Sequence, residues 1–80
     1  MIAENKIKLD KIFRLVLEIG DNEDIMNVRR INHPRWDSLA HVSLITAVES
    51  EFGVSISGTS KVNEITSFQA AETILSDMEQ

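Results

Sequence analysis

Apolar residues recur at steps of three and four in the first part of the chain, which is the pattern of an amphipathic helix. This helix is predicted to begin near Ile7 and to run to about residue 19, with Gly20 as its C-terminal cap. The apolar residues from Asp21 to Asp37 follow no regular spacing, and the turn-forming residues there predict a long loop. Apolar side chains in the loop predict that it is ordered and packs across the other elements: Ile25, Val28, Ile31 and Trp36.

A second helix is predicted to begin at Asp37 or Ser38, since either residue can act as its N-cap, and to end at Gly53. Its apolar residues fall on two stripes. The stripe that predicts the core face contains Leu44, Ile45, Val48 and Phe52. The other stripe contains Leu39, Val42 and Thr46. This second stripe either lies at the edge of the core or stays partly exposed as a surface for other proteins, and the pattern leaves both interpretations open.

The last third of the chain predicts one short and one longer helix. Residues 54–57 alternate like a strand but have no second strand to pair with, so an extended loop is predicted. Residues 61–65 suit one or two helical turns, and Thr66 or Ser67 then caps a last helix. The apolar face of that helix contains Phe68, Ala71, Ile74, Leu75 and Met78. The prediction is one all-α domain over residues 1–80, a small bundle of three longer helices and one short helix, with a long loop between the first two helices.

Composition and charge narrow the class of protein. There are no cysteines, so no disulfide can form, and no apolar run approaches the roughly 20 residues of a membrane span. The first residues lack the shape of a signal peptide, so we expect a soluble, cytoplasmic protein without membrane insertion. The formal net charge is −5, and residues 37–52 and 53–80 carry −3 each. That acidity would repel a phosphate backbone, so nucleic-acid binding is not expected.

Ser38 stands where a phosphate would be favoured. A helix N-terminus presents unpaired backbone N–H groups and the positive end of the helix dipole, which attract a phosphodiester attached there. Taken alone, however, a serine after an aspartate at the start of a helix is usually a cap. The spacing by itself therefore leaves Ser38 either as a structural cap or as a site of attachment.

A longer match resolves this choice in favour of attachment. The stretch Arg35-Trp36-Asp37-Ser38-Leu39-Ala40-His41-Val42-Ser43-Leu44-Ile45-Thr46-Ala47-Val48-Glu49-Ser50-Glu51-Phe52-Gly53-Val54 resembles the modification-site helix of acyl carrier proteins. In that family Asp-Ser-Leu opens a helix that ends in an acidic stretch followed by Phe. The stretch from Ile65 to Ala71 is similar to the family's junction between its short third helix and its last helix. The resemblance is weakest in the loop from 21 to 35.

The resemblance implies a carrier without catalytic residues. With two His, no Cys and no clustered ligand pattern, a metal site is not expected either. A phosphopantetheinyl transferase would move 4′-phosphopantetheine from coenzyme A onto Ser38, and the thiol of that arm would hold acyl groups as thioesters. The chain would act as a monomer visited in turn by acyl-loading and acyl-transferring enzymes. The positions matching the family's partner-binding residues are Asp37, Leu39, Val42, Thr46 and Glu49. Trp36 is either a core residue that pins the loop or a wall in contact with the arm or its cargo.

The sequence departs from the fatty-acid type of this family. Arg35 and Trp36 stand where Gly and a small residue are usual, Ser43 and Ser50 stand where Glu is common, and Thr46 replaces a larger apolar residue. The form Trp-Asp-Ser-Leu-x-His looks like that of carriers dedicated to one pathway, such as secondary-metabolite or surface-polysaccharide assembly. A specialised biosynthetic carrier is therefore predicted, and a carrier of general fatty-acid synthesis is the alternative.

Two other functions compete with a carrier. Asp37, Ser38 and His41 suggest a hydrolase, but adjacent Asp and Ser on a small bundle offer neither the triad geometry nor an oxyanion hole. His41 is expected to be a surface or partner-contacting side chain, and His33 a loop residue. The remaining alternative is a helical adaptor, in which Ser38 is only a cap and the stripe of Leu39 and Val42 binds one partner permanently.

Overall fold

The computed structural model describes residues 2–78, so the predicted domain ends at residues 1 and 80 lie outside the described residues. Helix α1 spans Ala3–Val16 and buries Leu9 and Phe13. The helix ends earlier than predicted. The predicted cap residue was Gly20, but Glu18, at φ 54°, adopts the left-handed conformation at the end of the helix, and the Ile19 N–H donates to the Arg14 carbonyl at 2.9 Å. These are the features of a Schellman motif, in which a non-glycine residue occupies the position that glycine usually takes.

The loop between α1 and α2 is ordered by two 3₁₀ turns, Ile25–Asn27 and Arg30–Asn32. Ile25, Val28 and Trp36 are buried, as predicted for a loop that packs across the bundle. The loop is attached to the start of the last helix, because the Arg30 N–H donates to the Thr66 carbonyl and the Phe68 N–H to the Val28 carbonyl, at 2.8 and 3.1 Å. The prediction for Ile31 was wrong, since this side chain is 94% exposed.

Helix α2 spans Ser38–Phe52. Its predicted end is confirmed, because Gly53 has φ 66°, a left-handed conformation that only glycine adopts at little cost. Leu44, Ile45 and Val48 are fully or almost fully buried, as predicted for the core stripe. Phe52 is only half-buried at the edge of the core.

The remaining elements are α3, Lys61–Glu64, and α4, Phe68–Met78. Ser67 caps α4, because its hydroxyl accepts the Ala70 N–H at 2.9 Å. Residues 54–57 form no strand, in agreement with the prediction of an extended loop. The fold of the described residues is thus an all-helical bundle of three longer helices and one short helix.

Three aromatic rings join the elements at the centre of the core. The Phe13 ring meets the Trp36 ring edge to face at a centroid distance of 5.5 Å and the Phe68 ring at 5.1 Å. Because these residues come from α1, the loop and α4, the contact ties three parts of the chain together. Helix α1 packs chiefly against α2. Among residues 2–78, no helix is long and apolar enough to cross a membrane.

Candidate functional site

The N-terminus of α2 is capped by Asp37 and not by Ser38. Asp37 has an extended backbone, and its carboxylate accepts the Ala40 N–H at 2.8 Å. Its carbonyl accepts the first α-helical hydrogen bond, from the His41 N–H at 2.9 Å. An aspartate in this position satisfies one of the unpaired N–H groups of the first turn and places a negative charge at the positive end of the helix.

Ser38 is the first residue inside α2, and it is exposed to solvent. Its hydroxyl makes no hydrogen bond within the described part of the chain. The N–H groups of Ser38 and Leu39 lie in the first turn, where no carbonyl of the same helix can accept from them. The hydroxyl is therefore accessible, uncommitted to folding, and close to backbone donors that favour an anion.

The stripe of Leu39, Val42 and Thr46 is exposed. Leu39 is 77% exposed and Val42 62% exposed, so neither lies in the core. The Thr46 hydroxyl donates its proton to the Val42 carbonyl one turn earlier at 2.9 Å. The side of α2 that begins at Ser38 thus presents apolar groups to solvent over two turns.

One side of this stripe borders an apolar cavity of about 210 Å³ between α2 and the segment that leads into α3. We call it the α2 recess; its lining residues are His41, Val42, Ile45, Thr46, Ser57, Gly58 and Val62. His41 lies three residues after Ser38, so the recess begins about one helical turn from the hydroxyl. A larger open groove, of about 870 Å³, follows the loop from Glu23 to Arg35 and contains none of the predicted site residues.

The Glu49 carboxylate is hydrogen-bonded to the segment that follows α2. One carboxylate oxygen accepts the Ile56 N–H at 2.6 Å and the Ser57 N–H at 2.8 Å, and the other accepts the Ser57 hydroxyl at 3.1 Å. The backbone N–H groups of Ser57 and then Ile56 hold the pKa of Glu49 below its ordinary value of 4.5, because they stabilise the charged form. Glu49 therefore fastens the segment after α2, and its carboxylate oxygens are directed to that segment.

Trp36 and His41 form a buried hydrogen-bonded pair. The Trp36 indole N–H donates to His41 Nδ1 at 2.9 Å, with 25° between the ring planes. His41 Nε2 lies 2.7 Å from the Val62 carbonyl, which can only accept, so Nε2 carries the proton. His41 is 6% exposed, and the expectation of a surface or partner-contacting histidine was wrong. Trp36 is buried and pins the loop to α2.

The burial of His41 has a signal in the sequence that the prediction did not use. His41 lies three residues before Leu44 and four before Ile45, which places it on the same helical stripe as the core residues. A buried histidine on such a stripe needs hydrogen-bond partners for both ring nitrogens, and the sequence does not show that Trp36 and Val62 supply them.

Asp37, Ser38, Leu39 and Val42 are brought together by the helix itself, as predicted.

Comparison with known proteins gives no relative: no family model matches the chain, and no curated protein or solved structure matches it closely enough to indicate a relationship.

Proposed function

We propose that this protein is an acyl carrier, which holds acyl groups as thioesters on a 4′-phosphopantetheine arm attached to Ser38. The observation that carries the proposal is the division of roles between Asp37 and Ser38. Asp37 caps α2, so the exposed Ser38 hydroxyl is not needed for the start of the helix. The resemblance of residues 35–54 to the modification-site helix of acyl carrier proteins supplies the chemistry.

The residues around Ser38 fit the arm. Its phosphodiester would be attached beside the first-turn N–H groups, where the helix dipole favours a negative charge. The Asp37 carboxylate is also negative, but one of its oxygens is already bound to the Ala40 N–H. When bound, the arm supplies the thiol that this cysteine-free chain lacks. The chain itself would hold the group in an accessible position at one end of α2.

The surface next to Ser38 suits transient binding of several partner enzymes in turn. Leu39 and Val42 offer exposed apolar area within an acidic half of the chain, which suits brief contacts with apolar, positively charged partner surfaces. We propose that these partners are the phosphopantetheinyl transferase and the enzymes that load and transfer acyl groups.

We also propose that the carrier serves a specialised pathway. Ser43, Thr46 and Ser50 are all exposed on α2, so the helix presents hydroxyl groups where carriers of the fatty-acid type commonly present acidic or larger apolar side chains. Such a surface favours a narrow set of partners over the general fatty-acid enzymes. The mass of the group found on the arm in cells distinguishes a dedicated pathway from general fatty-acid synthesis.

The attachment is tested by coexpression with a phosphopantetheinyl transferase of broad specificity, followed by intact mass measurement. Wild type is expected to gain the mass of one phosphopantetheine group, and Ser38→Ala none. Ser43→Ala is the matched control, because Ser43 is also an exposed serine of α2, and it should be modified like wild type.

The outcomes separate the carrier from the helical adaptor. Modification of Ser38→Ala would show that the arm is attached elsewhere. If wild type gains no mass, the carrier proposal fails, and the exposed apolar stripe of Leu39 and Val42 would favour a protein that binds one partner through α2.

A further inference from the structure

A chain of hydrogen bonds through His41 joins the loop, α2 and α3. The Trp36 indole N–H donates to His41 Nδ1 at 2.9 Å, and His41 Nε2 lies 2.7 Å from the Val62 carbonyl. We call these three groups the tryptophan latch. Since the carbonyl can only accept, Nε2 carries the proton of the ring and Nδ1 carries none. The closed latch therefore requires a neutral imidazole in one of its two tautomers.

A second proton on the imidazole is incompatible with the closed latch. It would place an N–H group at Nδ1, directly facing the indole N–H, so that two donors would meet without an acceptor. His41 is 6% exposed and Trp36 is 3% exposed, so bulk water does not reach these groups in their place. A buried donor without a partner and a buried charge both cost free energy. Protonation of His41 therefore favours a state in which the indole has left the ring.

The residues around His41 carry no charge that would stabilise a protonated ring in the closed latch. The α2 recess, which His41 lines, is otherwise bordered by uncharged residues: Val42, Ile45, Thr46, Ser57, Gly58 and Val62. Among residues 2–78, no carboxylate forms an ion pair with His41. The two hydrogen-bond partners of the ring are also uncharged.

The acidic groups on the elements packed around the latch are bound to other partners: Glu18 to Arg35 of the loop, Asp37 to the Ala40 N–H, Asp10 of α1 to Arg14, Glu49 of α2 to Ser57, and Glu64 of α3 to the Ser60 hydroxyl. Lys61, next to Val62, is positive, and a positive charge disfavours a second one nearby. The described part of the chain thus offers a protonated His41 no counter-charge in its closed position.

We propose that the tryptophan latch is a pH-sensitive switch, closed at neutral pH and opened when His41 takes up a second proton. Opening frees Trp36 and with it the turn in which the Trp36 N–H donates to the His33 carbonyl, directly before Asp37 and Ser38. Histidine is the side chain that ordinarily changes charge between about pH 5 and pH 8, so the switch is expected to act in that range. It is a property of the unmodified chain and does not depend on the proposed arm.

The test follows hydrogen exchange of the Trp36 indole N–H by NMR between about pH 7 and pH 5, a range above the titration of most carboxylates. The protection factor, corrected for the intrinsic exchange rate, is expected to fall by up to about tenfold per pH unit, because the open state binds one more proton. It should stay below the protection factors of the Leu44 and Val48 amides, which lie in the core of α2, since opening is local.

The two histidines of the chain provide the variant and its control. His41→Gln retains a donor and an acceptor but has no proton to gain, so its indole protection should not change over this range. His33→Gln is the matched control, because His33 lies in the loop outside the latch, and it should show the pH dependence of wild type.

Three results would overturn the proposal: an indole protection factor of wild type that does not change with pH, equal protection of the indole and of the Leu44 and Val48 amides, or loss of the pH dependence in His33→Gln. Should His41→Gln not fold, the ¹⁵N shifts of the wild-type imidazole decide. Nδ1 is expected to carry no proton at pH 7 and to gain one as the indole loses protection, and a proton on Nδ1 at pH 7 would refute the switch.

Discussion

The His41 imidazole bonds to two groups that belong to different parts of the chain. It accepts the Trp36 indole N–H from the loop and donates to the Val62 carbonyl in α3. The Trp36 N–H would otherwise be buried without a partner, at a cost of roughly 1 to 3 kcal/mol, and the partly buried Val62 carbonyl would also lose its bond. A single side chain of α2 thus fixes the position of the loop on one side and of α3 on the other.

Replacing His41 by Leu should therefore destabilise the fold by about 2 to 4 kcal/mol, because the Trp36 N–H and the Val62 carbonyl both lose their partner. His41→Gln should cost less, since its amide offers one donor and one acceptor. Urea denaturation followed by circular dichroism measures both free energies of unfolding. Equal losses for the two variants would show that ring packing, and not hydrogen bonding, is the role of His41.

Glu49 gives the stability a dependence on pH. Its pKa in the folded chain is lowered from 4.5 by the N–H groups of Ser57 and Ile56, so the folded state favours the charged form. This contribution is fully present above the unfolded pKa and is lost as the pH falls through the lower folded pKa. The carboxylate should therefore stabilise the protein at neutral pH and contribute little in strong acid.

The expected result is that the difference in free energy of unfolding between wild type and Glu49→Gln stays constant from pH 7 to about pH 5. Below about pH 4.5 this difference should shrink as the carboxylate is protonated. Urea titrations of both proteins at several pH values measure it. A difference that does not change with pH would mean that the charge of Glu49 is not what holds the segment.

At the scale of the elements, α2 was predictable because local chemistry determines both of its ends. Asp37 offers a carboxylate at the N-cap, and Gly53 permits the left-handed residue at the C-terminus. The end of α1 was not predictable in this way. Glu18 adopts the left-handed conformation in place of Gly20, while the Arg14 guanidinium donates to the Gly20 carbonyl at 2.5 Å. That contact depends on the fold of the loop and leaves no local pattern.

The exposed stripe of α2 permits a direct test of the two apolar faces. Val42→Asp should change the free energy of unfolding by no more than about 0.5 kcal/mol, because Val42 lies on the surface. Val48→Asp, its matched control on the core stripe, should cost more than about 3 kcal/mol and abolish most helical circular dichroism, since it buries a charge. Loss of helix in Val42→Asp would place that residue in the core.

Under the carrier proposal, the same Val42→Asp variant should separate folding from function. It should accept the arm on Ser38 yet transfer acyl groups to partner enzymes more slowly, because the exposed apolar area that they would contact is interrupted. Acyl transfer rates measured on the loaded variant and on loaded wild type give the comparison. Equal rates would remove Val42 from the partner-binding surface.

The whole molecule has one core, and its radius of gyration of 11.5 Å is close to the roughly 12 Å typical of a compact domain of this size. The loop contributes Ile25, Val28 and Trp36 to that core alongside the helices. The sequence predicted this participation from the apolar residues of the loop. It could not predict that Ile31 points to solvent, because a loop without a period does not reveal which side faces the core.

Since Trp36 is the only tryptophan and lies at the junction of the loop, α1 and α2, its fluorescence reports on the loop, while circular dichroism reports on the helices. The two unfolding curves in urea should have the same midpoint, as expected for one cooperative unit. An earlier transition by fluorescence would show that the loop detaches before the helices melt.

The capping of α2 by Asp37 has a consequence for how this chain can change over evolutionary time. Position 37 needs an aspartate, or a similar capping residue, for α2 to begin there. Position 38 does not constrain folding in this way, because its side chain is exposed and makes no hydrogen bond in the described part of the chain. Ser38→Ala should accordingly leave the melting temperature unchanged. If Ser38 is the attachment residue, as proposed, a lineage could lose or regain it by a single substitution without passing through an unstable protein.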